Sequence, residues 1–176
     1  MEFIRTEVAG VFVVVADALT DERGVFARTF DAAEFGAAGL PTVWPQCNTS
    51  SNRRRGTLRG MHFQAEPRPD TKLVRCTRGR IFDVVVDVRR ESQTCGSWFG
   101  VELSHDRRNA LFIPAGCAHG FITLVDDCEI FYMMGEIYVP ELARGVRWND
   151  TAFGIKWPFE PVVMSERDAS YPDFQP

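Results

Sequence analysis

Histidine is scarce in this sequence, with three residues in 176, so any imidazole chemistry rests on His62, His105 or His119. The five cysteines, Cys47, Cys76, Cys95, Cys117 and Cys128, are odd in number and widely spaced, and no CxxC occurs. That argues against a disulfide framework and a cysteine-based zinc site and leaves reduced, mostly buried thiols. No block of one charge sign extends beyond Arg53, Arg54 and Arg55, and the net charge is −4. Nucleic acid is therefore not the expected partner, because phosphate backbones need a broad basic surface. A small anionic ligand needs only a few basic side chains in a pocket and stays open. No apolar run approaches the length of a membrane span. Met1-Glu2-Phe3-Ile4-Arg5 lacks the basic-then-apolar layout of a signal peptide. No membrane partner and a cytoplasmic location are expected. Repeats, low-complexity tracts and linkers are absent, so residues 1–176 are read as one domain.

What is present is a globular composition, 45% hydrophobic and 25% charged, arranged as short apolar runs between turns. Residues 11–15, 72–76, 81–88, 99–103, 110–113, 120–125 and 129–134 read as strands rich in Val, Ile and Phe. The expected fold is all-β, a jelly roll or double-sheet barrel with a few short helices. One helix is predicted at residues 32–38, with Asp31 as cap and Glu34 completing a capping box. From Pro140 onward the chain reads as ordered loop with short helical turns. In residues 81–89, Phe82, Val84, Val86 and Val88 share one strand face, and Asp83, Val85 and Asp87 share the other. Two acids on so apolar a strand either line a polar barrel interior or form a buried ion-pair network.

Two histidines stand in glycine-flanked contexts, Arg59-Gly60-Met61-His62-Phe63-Gln64 and Pro114-Ala115-Gly116-Cys117-Ala118-His119-Gly120-Phe121. The second is similar to the second motif of cupins, which often supplies a metal ligand. The first motif of a metal cupin carries further ligands, whereas only His62 and Gln64 stand in the matching stretch. Two histidines fall short of the three or four ligands of a divalent site, so no metal is expected. His105, in the turn Ser104-His105-Asp106, reads as a hydrogen-bonded structural residue. Arg59 and His62 are three apart, which in a regular strand points them to opposite faces. Gly60 between them is a natural bulge, and an irregularity at Gly60 and Met61 is predicted.

Further motifs follow in order: Asp21-Glu22-Arg23-Gly24, Gln46-Cys47-Asn48, Gly56-Thr57-Leu58-Arg59-Gly60-Met61-His62-Phe63-Gln64 and Lys72-Leu73-Val74-Arg75. Then come Asp83-Val84-Val85-Val86-Asp87-Val88-Arg89, the His119 segment, Tyr132 with Tyr138, Trp148-Asn149-Asp150 and Ser165-Glu166-Arg167-Asp168. Together they resemble the dTDP-4-dehydrorhamnose 3,5-epimerase family over nearly the whole chain. The resemblance implies cofactor-free chemistry on a nucleotide-linked 4-keto-6-deoxyhexose. The C–H bonds at C3 and C5 are acidic because the C4 carbonyl takes the charge as an enolate. Inversion then needs a base on one ring face, an acid on the other, and positive charge near the oxyanion.

By the same resemblance His62 is the base, Asp168 holds it, Tyr132 is the proton donor and Lys72 stabilises the oxyanion. Arg23, Gln46, Asn48, Arg59, His119 and Arg167 match substrate-contacting positions, and Tyr138 matches an aromatic that stacks on the nucleotide base. The sequence departs from the pattern at Arg28 and at Ala143-Arg144, where the family usually has Glu, and at Arg167, where it has Lys. None of these is the base, acid or oxyanion lysine, so the chemistry is retained while the nucleotide (dTDP, CDP or GDP) and the carbon inverted (C3, C5 or both) stay open. The alternatives are a sugar-nucleotide ketoisomerase, a metal-dependent cupin enzyme and a non-catalytic sugar-nucleotide-binding jelly roll. The resemblance also implies a homodimer, for which Val11-Phe12-Val13-Val14-Val15 is read as an edge strand.

Overall fold

A computed structural model describes residues 1–175. The strands are β1 (Glu2–Arg5), β2 (Phe12–Val15), β3 (Ala18–Asp21), β4 (Gly24–Ala27), β5 (Gln46–Asn52), β6 (Leu58–Gln64), β7 (Lys72–Arg78), β8 (Arg80–Asp87), β9 (Trp98–Ser104), β10 (Asn109–Ile113), β11 (Cys117–Thr123), β12 (Cys128–Met134) and β13 (Ala143–Gly145). Two short helices, α1 (Ala32–Ala37) and α2 (Glu166–Ala169), accompany them. One sheet runs β1-β2-β10-β7-β12-β5, a second runs β13-β6-β11-β8-β9, and β3 and β4 form a separate hairpin. The two large sheets face each other, as a jelly-roll barrel requires.

Each sheet buries both faces over part of its area. Between the sheets lie Val11, Val13, Val74, Ile81, Val85, Leu111, Ile113, Phe121 and Ile130. The outer face of the six-stranded sheet is covered by α1, where Phe35 packs with Val14, Leu73, Ala110 and Phe112. The outer face of the five-stranded sheet is covered by the C-terminal segment, with Phe153, Ile155, Trp157 and Phe174 over Met61, Val84, Val86 and Ala118. The parity read from β8 therefore holds, with Val84 and Val86 outward and Val85 inward.

Two expectations need correction. Residues 11–15 do not form an edge strand, because β1 lies antiparallel along β2 on one side and β10 on the other. The edges of that sheet are β1 and β5. The helix is capped by Asp31, which accepts from Ala33 N and Glu34 N, but no capping box forms. Glu34 turns instead to the amino group of Met1. By contrast, β5 carries no apolar pattern, because Gln46-Cys47-Asn48-Thr49-Ser50-Ser51-Asn52 is almost wholly polar. Its strand character comes from the ladder it forms with β12, from Cys128↔Asn52 to Met134↔Gln46.

The two acids of β8 take different parts. Asp87 forms the buried ion-pair network, accepting from Arg89 Nε at 2.8 Å and Arg89 Nη2 at 2.8 Å. Ser92 Oγ and Thr94 Oγ1 complete its shell. Burial works to raise its carboxyl, but the bonds from Arg89, Ser92 and Thr94 outweigh burial and bring it down to about 2. Replacing Asp87 by Ala strands the Arg89 charge and should cost about 3–5 kcal/mol, read by urea unfolding. A depressed carboxyl stabilises the fold above its unfolded value, near 3.8, and loses that contribution as pH falls through about 2. The stability curves of the wild type and the variant should therefore converge only at the acid end of that window.

Candidate active site

The second acid, Asp83, points between the sheets toward His119, whose Nε2 lies 2.8 Å from Asp83 Oδ1. Both are buried at the end of the barrel where the apolar filling gives way to a cavity of about 330 Å³. The five-stranded sheet lines this cavity with Arg59 and His62 from β6 and His119 from β11. The six-stranded sheet lines it with Asn48 from β5, Lys72 from β7 and Tyr132 from β12. Tyr138, Arg144 and Arg167 also line it.

Arg59 and His62 share the cavity because β6 is irregular where the sequence placed the irregularity. His119 pairs with His62 and Phe121 with Arg59, so Gly60 and Met61 together face Gly120 alone. This two-against-one register is a β-bulge. Gly60 has φ +136°, and a Cβ there would fall 2.5 Å from Gly120 Cα, so no other residue fits.

The bulge also builds the support for His62. Gly60 N donates to Asp168 Oδ2 at 3.2 Å, and Asp168 Oδ1 lies 2.8 Å from His62 Nε2. Asp168 is brought there by α2, whose cap Ser165 accepts from Asp168 N. Burial raises the Asp168 carboxyl, but the bond from His62, its charge and the Gly60 N–H outweigh burial and leave it below the ordinary value. An ionised Asp168 accepts only, so Nε2 carries the ring proton and Nδ1 is the free basic nitrogen of neutral His62.

Across the cavity Tyr132 stands edge-on to His119, with centroids 6.1 Å apart at 78°. Burial pushes its phenol well up and Asp83 adds to this, against weaker pulls from Arg59 and Ser50. Tyr132 is thus a protonated hydroxyl at neutral pH. Lys72 is buried beside Asp70, with Nζ 2.8 Å from Oδ2. Even so, its ammonium has no acceptor in hydrogen-bond geometry among the described residues. A buried cation with unspent N–H donors at the cavity wall is suited to an oxygen that becomes negative. Asp83 shows the opposite tendency: burial pushes its carboxyl up, His119 pulls it down, and Oδ2 has no partner among the described residues.

The remaining positions divide. Asn48, Arg59, His119, Tyr138 and Arg167 line the cavity. Gln46 lies just behind, donating to Asn48 Oδ1 at 3.2 Å and accepting from Tyr138 N at 3.1 Å. Arg23 is not brought to this cavity. It sits at the β3–β4 turn with its side chain 86% exposed, paired with Asp21. Arg28 lies outside too, paired with Asp31. His105 is held in its turn by Gly79 O and Asp106. Sequence reasoning missed Asp70 and Tyr171 altogether. Asp70 has the signal of standing two residues before Lys72, whereas Tyr171 has none. No group of three His, Cys, Asp or Glu side chains able to hold a metal stands among the described residues.

A carboxylate-held imidazole on one sheet, facing a phenol and a buried ammonium on the other, defines a jelly-roll enzyme of the cupin-like class built to move protons. The family model described as dTDP-4-dehydrorhamnose 3,5-epimerase matches residues 5–176. The dTDP-4-dehydrorhamnose 3,5-epimerase of Methanothermobacter thermautotrophicus is 46% identical over 96% of this chain and 92% of its own length. The crystal structure of the Bacillus anthracis enzyme of that name, with TDP and PPi bound, superposes with a TM-score of 0.94 at 34% identity, covering 98% of each chain. A 3'-monoepimerase from Streptomyces bikiniensis, in complex with dTDP-quinovose, superposes with a TM-score of 0.89 at 32% identity, over 96% of this chain and 86% of its own. The chain belongs to the dTDP-4-dehydrorhamnose 3,5-epimerase family.

Proposed function

We propose that this protein inverts C3 and C5 of a dTDP-linked 4-keto-6-deoxyhexose without a cofactor. The observation that carries the reading is that His62 and Tyr132 belong to facing sheets and line one cavity with Lys72. His62 Nδ1 removes the proton next to the C4 carbonyl, and the electron pair moves onto the carbonyl oxygen. Lys72 stabilises that oxyanion. The Tyr132 hydroxyl then protonates the carbon from the other face, the carbonyl re-forms, and solvent returns the proton from His62 to Tyr132. Asp168 keeps the tautomer of His62 and supports its charged form. Asn48, Arg59, His119 and Arg167 bind the substrate, Tyr138 stacks on the base, and Gln46 acts by holding Asn48 and Tyr138 in place.

The dTDP named with both solved relatives favours that nucleotide over CDP or GDP. The likeness to a 3'-monoepimerase means that the fold alone does not decide between one inverted carbon and two. The test is to incubate dTDP-, CDP- and GDP-linked 4-keto-6-deoxyhexoses in deuterium oxide and locate the label. Label at both C3 and C5 of the dTDP sugar is expected. Label at one carbon makes the protein a monoepimerase, and a keto group moved to C3 makes it a ketoisomerase. No exchange at all would leave a binding protein, and exchange abolished by chelators would point to a metal enzyme.

We further propose that the working form is a homodimer. The β3–β4 hairpin displays Leu19 at 72% and Phe26 at 70% exposure beside Arg23, an apolar surface that a second copy would cover. Arg23 would then meet the substrate in the partner's cavity. Sedimentation should give a dimer for the wild type and a monomer for a Leu19→Asp, Phe26→Asp variant, and a monomeric wild type ends the reading.

A further inference from the structure

We infer that Tyr171 is a positioning residue for His62, its ring a wedge that keeps the imidazole against Asp168. The inference rests on the reading of His62 as base. Tyr171 follows α2, three residues beyond Asp168. Its ring meets the His62 ring edge-on, with centroids 5.8 Å apart at 70°. The seat for it is made by Gly145, the cross-strand partner of His62 on β13. A Cβ at position 145 would fall 2.4 Å from both Cε2 and Cζ of Tyr171. On the tail itself, the Arg167 guanidinium lies 5.7 Å from the Tyr171 ring centroid.

The wedge answers a geometric need. The His62 side chain is 41% exposed, and its one hydrogen bond to Asp168 fixes a single atom, about which the ring can still swing. A second contact on the ring edge removes that freedom and aims Nδ1. The Tyr171 hydroxyl is buried without a hydrogen bond of good geometry, and its polar neighbour is the Arg167 guanidinium on the same tail, not His62. The ring, not the hydroxyl, does the positioning.

The test uses Tyr171→Ala, Tyr171→Phe, Gly145→Ala and the double alanine variant of both positions. Each is assayed with a dTDP-linked 4-keto-6-deoxyhexose and by proton NMR of the His62 Nε2–H that bonds Asp168. In Tyr171→Ala, kcat should fall roughly tenfold, the cost of a small misplacement of a reacting group. KM should change less than kcat, because Tyr171 reaches the cavity wall only through Arg167. The Nε2–H signal should broaden as water reaches the bond. Tyr171→Phe should recover both kcat and the signal. Gly145→Ala should behave like Tyr171→Ala by occupying the ring's seat. The double variant, where the new Cβ has room, should be no worse than either single one, since both act on the same contact. The wedge is overturned by a wild-type kcat and a sharp signal in Tyr171→Ala, by a change confined to KM, by failure of Phe to rescue, or by a silent Gly145→Ala. If the wild type turns over no 4-keto sugar nucleotide, the epimerase reading falls, and the Nε2–H signal in the four variants still decides the wedge.

Discussion

Replacing His62 by Ala should lower turnover of the 4-keto sugar nucleotide by roughly 10²–10⁴-fold, the contribution of a well-placed general base. Deuterium exchange at C3 and C5 should disappear with it, because no other imidazole lies open to the cavity. His119 lines the same cavity, but it is only 4% exposed, against 41% for the His62 side chain, and is enclosed between Asp83 and the Tyr132 ring. KM should change little, since Arg59, Asn48, Tyr138 and Arg167 remain. Asp168→Asn is the sharper companion. Gly60 N–H reaches Asp168 Oδ2, so the amide would turn its oxygen to Gly60 and its NH₂ to His62 Nε2. Nε2 would then have to accept, the ring proton would move to Nδ1, and the base would be blocked with every atom in place. Turnover should fall steeply while the fold, read by circular dichroism, stays intact. Exchange persisting in His62→Ala would remove His62 from the mechanism.

Much of this site is legible before any coordinates. Parity alone placed Asp83, Val85 and Asp87 together on one face of β8, which the structure turns inward, and the three-residue spacing of Arg59 and His62 demanded the bulge that Gly60 supplies. Both inferences rest on strand geometry, which is local. What sequence could not give is non-local. It left Asp83 and Asp87 open between a polar interior and an ion-pair network, and the structure uses each option once. The partner of β2 is β1, a short exposed strand without an apolar pattern, so residues 11–15 read as an edge. Polar β5, which carries Asn48, is a strand only because β12 pairs with it. Arg23 matched a substrate position by motif, yet its own chain holds it outside the cavity. Tyr171 reaches His62 only because Gly145 lacks a side chain, a relation between residues far apart in sequence.

Tyr132→Phe should separate two events that His62→Ala removes together. With the base intact, His62 still abstracts the proton, exchanges it with solvent and returns it to the same face. Deuterium should therefore continue to enter unreacted substrate, while formation of the inverted sugar falls by roughly 10²–10⁴-fold for want of an acid on the other face. Phenylalanine keeps the edge contact with His119, so packing is not the cause of the loss. The pH dependence carries a further sign. An acid must be protonated to act, and burial and the Asp83 charge raise the Tyr132 phenol above its ordinary value of 10.0. Tyr132 therefore remains competent throughout the neutral and mildly alkaline range. Its loss should not appear as an alkaline limb of kcat/KM below the ordinary phenol range, and any limb seen there should persist in the residual exchange of Tyr132→Phe. Inversion at the wild-type rate in that variant would mean that the second proton comes from another group. The two facing sheets would then no longer explain why inversion, and not exchange alone, is the outcome.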